Sequence, residues 1–123
     1  MREAYYEQVE NINADLVEVT RLVGSAMNRA TQALLDADLQ LAEAVIDFDA
    51  KVDLLTASID ERCFELIALQ APVATDLRVL LGAMRISSSL ERMGDLAEHV
   101  AKQARMRHPK VSVPQEVRGT FAE

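Results

Sequence analysis

Acidic side chains recur at a spacing of four residues in two parts of the chain. Asp49 and Asp53 form one pair, Glu91 and Asp95 form another, and His99 follows after a further four residues. Residues four apart lie on the same face of a helix. Carboxylates and an imidazole grouped in this way suit iron, manganese or zinc. The same acids also fit the solvated face of an acidic helix, so their spacing leaves both interpretations open.

The two acidic pairs can meet only if the helices that carry them pack side by side. Pro72 disfavours helical geometry in the residue before it and therefore predicts a turn between two helices. Asp53 and Glu91 are each 19 residues from Pro72, and Asp49 and Asp95 are each 23 residues from it. These equal distances put the acids at one level across the hairpin. Neighbouring helices lie about 8–10 Å apart, which is close enough for carboxylates on facing sides to share a cation. We predict a metal site with the ligands Asp49, Asp53, Glu91, Asp95 and His99.

Apolar residues repeat at alternating intervals of three and four, which is the heptad pattern of packed helices. Asp38 is placed to cap a second helix, and Pro109 ends a third. We predict an all-α fold, an antiparallel bundle of three long helices in residues 1–108, followed by a linker and the start of a further helix in 109–123. The predicted core rows are Tyr5, Val9, Ile12, Leu16, Val19, Val23, Ala26, Ala30 and Ala33; then Leu41, Val45, Phe48, Val52, Leu55, Ile59, Leu66 and Leu69, interrupted at Arg62; then Val79, Ala83, Ile86, Leu90, Met93, Ala97, Val100 and Ala104.

The composition argues against several classes of partner and compartment. A net charge of −7 disfavours binding to nucleic acid. The single cysteine, Cys63, permits no internal disulfide and no CxxC motif, and we expect it to be a buried apolar residue in a reducing compartment. Residues 1–7 contain acids where a secretory leader needs a basic start and an apolar run, so we expect no leader, and no apolar stretch reaches membrane-spanning length. We therefore predict a cytoplasmic protein that reaches a membrane only through partners.

The sequence contains no group of residues typical of an enzyme. Its glycines are isolated, so there is no glycine-rich phosphate loop, and the Glu-x-x-His motif of carboxylate-bridged oxidases is absent. Gly94 lies within a predicted helix, which indicates that another helix or the ligand shell of an ion approaches the backbone there. We predict a protein that is not an enzyme. The alternatives are a carboxylate-bridged metal site with a catalytic role and a purely structural bundle that oligomerises.

Two segments that occur together are specific for one protein family, although either alone would be weak evidence. They are residues 69–78 (LQAPVATDLR) and 90–97 (LERMGDLA). With residues 29–35 (RATQALL) and the Asp49-x-x-x-Asp53 element, they resemble the PhoU family of phosphate-signalling regulators over essentially the whole chain. Members of that family contain two three-helix repeats in tandem. The chain resembles the first repeat together with the start of the second.

The resemblance implies a function in phosphate homeostasis. PhoU-like proteins are cytoplasmic accessory proteins of the high-affinity phosphate transporter, and they act by binding, without catalysis. They repress the phosphate-starvation response through contacts with the sensor histidine kinase and the transporter ATPase. Their acidic motifs hold iron or zinc clusters, which implies metal ligands here at Asp49, Asp53, Glu91 and Asp95. A single repeat leaves uncovered any face that packs on the second, so we also expect a homo-oligomer.

Overall fold

The computed structural model describes residues 2–107, and three helices contain nearly all of them. These are α1 (Arg2–Asp36), α2 (Leu39–Gln70) and α3 (Ala74–Arg107). At 1.5 Å per residue, each helix is about 50 Å long. Consecutive helices are antiparallel and each packs against the other two, which confirms the predicted all-α three-helix bundle. None of the helices in this part of the chain has an apolar stretch long enough to cross a membrane.

The turn between α1 and α2 has the predicted cap. Ala37 follows α1 with a φ of 52°, in the left-handed region, and the Asp38 N–H donates to the Ala33 carbonyl at 3.0 Å. The Asp38 carboxylate accepts a hydrogen bond from the Leu41 N–H at 3.1 Å. Asp38 therefore satisfies a backbone donor that the first turn of α2 would otherwise leave free.

The turn between α2 and α3 lies at Pro72, as predicted. Ala71 adopts a φ of 42°, so the residue before the proline leaves the right-handed helical conformation. Pro72 itself precedes α3, which begins at Ala74. The Leu77 N–H closes the first turn by donating to the Val73 carbonyl at 2.9 Å. The predicted boundary after residue 108 and the helix predicted in 109–123 lie outside the described residues.

The core divides into two clusters along the bundle. The cluster nearer Pro72 contains large side chains such as Ile12, Ile59 and Leu80. The cluster nearer Asp38 is rich in alanine. The separation of packed helices depends on the side chains between them, so the alanine-rich end allows closer approach. The predicted core row of α1 is confirmed, because its residues are buried except for Val9, which is partly buried.

In α2 and α3, every second position of the predicted core rows is wrong by one residue. The structure buries mostly small or polar side chains there, and the predicted larger neighbours are partly buried or exposed. The reason is that each helix contacts two others, so its innermost positions have little room and the larger apolar residues flank them. Predicted and buried residues pair as Leu41 and Ala42, Phe48 and Asp49, Leu55 and Thr56, Val79 and Leu80, Ile86 and Ser87, Met93 and Gly94, and Val100 and Ala101; Leu69 is also exposed.

Arg62, which interrupts the predicted core row of α2, forms an ion pair on the surface of the bundle. The Arg62 guanidinium pairs with the carboxylate of Asp15 on α1. Cys63, the next residue, is fully buried, and burial raises the pKa of its thiol. The cysteine is thus a core residue, as predicted, and its thiol is poorly suited to act as a nucleophile.

Candidate functional site

One hydrogen bond, from a core side chain of α3 to the backbone of α2, records the register of the two helices. The Ser87 hydroxyl donates to the Thr56 carbonyl at 3.2 Å. Thr56 lies 16 residues before Pro72 and Ser87 lies 15 residues after it, so the helices pair almost symmetrically about the turn. This register brings Asp49 to the level of Gly94, one residue before Asp95, which the count from Pro72 predicted.

Three of the five predicted ligands meet in the groove between α2 and α3. One carboxylate oxygen from each of Asp49, Asp53 and Asp95 lies within 4.8 Å of the other two. Oxygens on opposite sides of a metal ion are about 4 Å apart when each metal–oxygen bond is about 2.1 Å long. Small side-chain shifts would therefore allow all three carboxylates to coordinate one cation.

The other two predicted ligands are not part of this group. Glu91 and His99 are both exposed, one helical turn before and one turn after Asp95. His99 lies seven residues after Arg92, on the solvent face of α3, because the core row passes through Gly94 and Ala97. The expected imidazole ligand is therefore absent from the group that the structure assembles.

Glu98 belongs to the cluster but was not among the predicted ligands. Its carboxyl lies close enough to the Asp49 carboxyl to raise the pKa of that group. The Lys102 ammonium lies 3.1 Å from the Glu98 carboxylate and holds it on this side of α3. Glu98 is three residues after Asp95, and residues at that spacing share a helix face, so the sequence did contain a signal for it.

Asp49 is the buried member of the cluster. It is only 6% exposed, and its Oδ1 atom is buried without a hydrogen-bond partner. Burial, together with the nearby carboxyl groups of Asp53, Glu98 and Asp95, raises the pKa of Asp49 from 3.8 to about 7. Burial and the charges of Asp95 and Glu98 also raise the pKa of Asp53. The cluster therefore favours a bound proton or a bound cation over four bare carboxylates.

No cation of the described chain neutralises the three aspartates. Lys51 lies between Asp49 and Asp53 in sequence, but its ammonium is over the Phe48 ring, 5.8 Å from the centroid. Among residues 2–107, the ion pairs of lysine and arginine involve Glu18, Asp15 and Glu98, and none of these acids is one of the three aspartates. The negative charge of the three aspartates is left without a paired side chain.

Gly94 makes room for the buried aspartate. A Cβ at this position would lie 3.2 Å from Asp49 Oδ1, 3.3 Å from Val52 Cγ1 and 3.9 Å from Val23 Cγ2. The first two separations are tighter than ordinary van der Waals contact. Glycine therefore lets the backbone of α3 lie directly against Asp49. The sequence predicted that another helix or the ligand shell of an ion approaches the backbone at Gly94, and the structure shows contact with α2 there.

Together, the fold and the cluster define a class of protein: a bundle of three long helices with a carboxylate site in one of its grooves. The sequence model of a family described as the PhoU domain matches residues 16–104. This match covers well over half of the chain, and the chain belongs to the PhoU family.

Named relatives agree with this assignment over the full length of the chain. The phosphate-specific transport system accessory protein PhoU homolog 2 of Mycobacterium tuberculosis is 53% identical over 123 residues, which are 100% of this chain and 58% of that protein. PhoU homolog 1 of Mycobacterium leprae is 52% identical over 123 residues, and the matched part is 55% of that protein. The PhoU homolog of Aquifex aeolicus is 41% identical over 99 residues, 80% of this chain and 45% of that protein. The chain thus spans little more than half the length of the first two relatives.

Two glycine-to-alanine substitutions should differ in their effect on stability. Replacing Gly82 with Ala should raise the free energy of unfolding by about 0.5–1 kcal/mol, because an added Cβ meets nothing within 4 Å and alanine favours the helix. Gly94→Ala should show no such gain and should instead lower the free energy of unfolding by about 1–2 kcal/mol, because Asp49 and Val52 must move. Urea denaturation of the three proteins measures the difference. Equal stabilisation by both substitutions would contradict the close packing at Gly94.

The buried carboxyl should make the stability of the metal-stripped chain depend on pH. The pKa of Asp49 is about 7 in the folded chain and 3.8 without its surroundings, so the folded state binds the proton more tightly. Its stabilising contribution is fully present below about pH 4 and is lost as the pH rises to about 7, so the free energy of unfolding should fall between about pH 4 and pH 7.

Asp49→Asn should flatten this decrease, measured by urea denaturation in excess chelator. Asp47→Asn is the matched control, because Asp47 is an exposed acid on the same helix. Parallel pH profiles for the wild-type chain and Asp49→Asn would show that Asp49 is not the titrating group.

Proposed function

We propose that the chain acts in the regulation of phosphate uptake, as a cytoplasmic binding protein of the phosphate transport system. The observation that carries this proposal is membership of the PhoU family, together with relatives named as accessory proteins of a phosphate-specific transport system. Within the proposal, the chain represses the phosphate-starvation response. It does so through contacts with the sensor histidine kinase and with the ATPase of the transporter, and without catalysis of its own.

The structure supports binding by its shape and its surface. The helices are long, rigid elements that present continuous faces to a partner, and their outer positions include apolar side chains of high exposure, such as Leu54 at 73% and Phe64 at 65%. Exposed apolar residues on a helical surface are typical of protein contact sites. The thiol of Cys63 is buried and is not available for covalent chemistry.

We also propose that a metal ion binds to the carboxylate cluster and links α2 to α3. The support is the buried, unpartnered Oδ1 of Asp49 beside two further carboxylates. Asp49, Asp53 and Asp95 would hold the ion, and Glu98 lies close enough to join them. Because the donors are oxygens and His99 is not among them, the set suits iron or manganese better than zinc. The ion would neutralise the aspartates, and it needs no catalytic role for this effect.

The partner contacts can be tested by co-purification. The tagged chain, expressed in phosphate-replete cells, should recover the phosphate sensor kinase and the transporter ATPase, identified by mass spectrometry. The same tag on an unrelated three-helix bundle provides the control for non-specific capture. Recovery of neither protein, with the chain shown to be folded by circular dichroism, would count against the proposal.

The metal site can be tested by elemental analysis of the purified chain. Plasma mass spectrometry should find iron or manganese in the native-purified protein and its loss in the Asp53→Ala/Asp95→Ala variant. The matched control is Asp47→Ala/Glu61→Ala, which removes two exposed acids from α2 and should keep the metal. Circular dichroism checks that all three proteins are helical. Absence of metal from the wild-type chain, or its retention in the first variant, would refute the site.

A further inference from the structure

Apolar side chains remain exposed on one flank of α3. Val79, Ile86 and Met93 are seven residues apart and are 46%, 51% and 47% exposed. Their spacing places them in one line along the helix, about 21 Å long from Val79 to Met93. These were positions predicted to lie in the core, and the packing of the three described helices leaves them open.

The open flank of α3 faces α1. Asp95 and Glu98 lie on the flank that approaches α2, so the line from Val79 to Met93 lies on the opposite side of the core row. In α1, Asp15 pairs with Arg62 of α2, which places the other flank of α1 toward α3. That flank of α1 carries Tyr6 and Val17, which are 46% and 70% exposed. We name as the α1/α3 groove the surface formed by Tyr6, Val17, Val79, Ile86, Met93 and Leu96.

Two glycines line the same groove. Gly24 lies seven residues after Val17 on α1, and Gly82 lies fourteen residues before Leu96 on α3. A Cβ at either glycine would meet nothing within 4 Å. A glycine inside a helix costs about 1 kcal/mol relative to alanine, and the packing of residues 2–107 supplies no reason for either one. The absence of a side chain at both positions permits the close approach of a backbone from outside the bundle.

A line of arginines borders the groove on the outer face of α3. Arg78, Arg85 and Arg92 each directly precede a groove residue, and all three are exposed. Within residues 2–107, none of them takes part in an ion pair, whereas Arg21, Arg62 and Lys102 each do. In a chain with a net charge of −7, three free cations in one line are a local reversal of charge. Such an edge attracts carboxylates.

We propose that the α1/α3 groove binds an amphipathic helix of a partner protein, with the apolar face of that helix in the groove and its acidic residues beside Arg78, Arg85 and Arg92. Helices dock in this way by placing apolar anchors at heptad spacing into a groove between two others. A second copy of the chain fits less well. The exposed apolar residues Leu54, Phe64 and Leu69 on the acidic helix α2 are ten and five residues apart and form no continuous line. The inference rests on the proposed function only in that the chain acts by binding.

The test uses a designed probe. It is a fluorescent helical peptide of about 21 residues, with leucines at the heptad core positions and glutamates beside them, and a second peptide replaces each glutamate with lysine. Fluorescence anisotropy should show saturable binding of the glutamate peptide to the full chain. The lysine peptide should bind at least about tenfold more weakly.

Two variants test the groove from different directions. Arg78→Glu/Arg85→Glu/Arg92→Glu reverses the charged edge, and Gly82→Leu adds a side chain to the groove at a position where a Cβ would meet nothing within 4 Å. Each should weaken binding of the glutamate peptide by about tenfold or more. Lys51→Glu and Ala57→Leu are the matched controls on α2, where both positions are exposed, and they should bind as the wild-type chain does. Circular dichroism verifies the fold of each variant.

Several results would overturn the proposal. One is the absence of saturable binding of the glutamate peptide to the chain. The others are equal binding of both peptides, and binding of the glutamate peptide to the two groove variants as strongly as to the wild-type chain. Light scattering that shows a wild-type dimer converted to a monomer by Gly82→Leu would assign the groove to a second copy instead. None of these measurements uses the phosphate transport system, so the co-purification experiment decides the proposed function separately.

Discussion

Asp49 lies at an innermost position of α2, where helix packing ordinarily requires an apolar side chain. Its Oδ1 atom is buried without a hydrogen-bond partner, and a buried charge is costly unless it is neutralised. Several neighbouring features are consistent with this constraint. Gly94 leaves space for the carboxylate, Asp53 and Asp95 are exposed members of the cluster, and Glu98 lies near enough to raise the pKa of Asp49. The contact between α2 and α3 is therefore arranged around one charged group.

Local signals predicted the framework, and packing decided the rest. The cap at Asp38 and the turn at Pro72 follow from residues that act on their own backbone, so the sequence was sufficient for them. Counting from that turn gave the register across the hairpin to within one residue. The core rows of α2 and α3 were only half correct. Hydrophobicity favoured Phe48 over Asp49 and Met93 over Gly94, whereas the space between three helices selects the smaller residue. The burial of an aspartate cannot be deduced from its own chemistry, because that chemistry opposes it.

The same displacement of the core rows explains the candidate site and the groove. Because Gly94 and Ala97 face inward, His99 is turned to solvent, and Glu98 lies on the flank next to Asp49. Because Ser87 is the buried residue of its pair, Ile86 is left outside on the opposite flank. The acidic cluster and the apolar groove thus lie on opposite sides of α3. A ligand in one leaves the other accessible, and α3 is the element common to both.

The division of the core into a large-residue cluster and an alanine-rich cluster also bears on how the bundle opens. An alanine side chain removes less apolar surface from water than an isoleucine or a leucine, so each residue near Asp38 contributes less hydrophobic stabilisation than one near Pro72. Local unfolding begins where that contribution is smallest, and backbone amides there exchange with solvent hydrogen sooner. The carboxylate cluster lies where the two clusters meet, beside Val23 and Val52. It marks the boundary between the half of the bundle that fluctuates more readily and the half that persists.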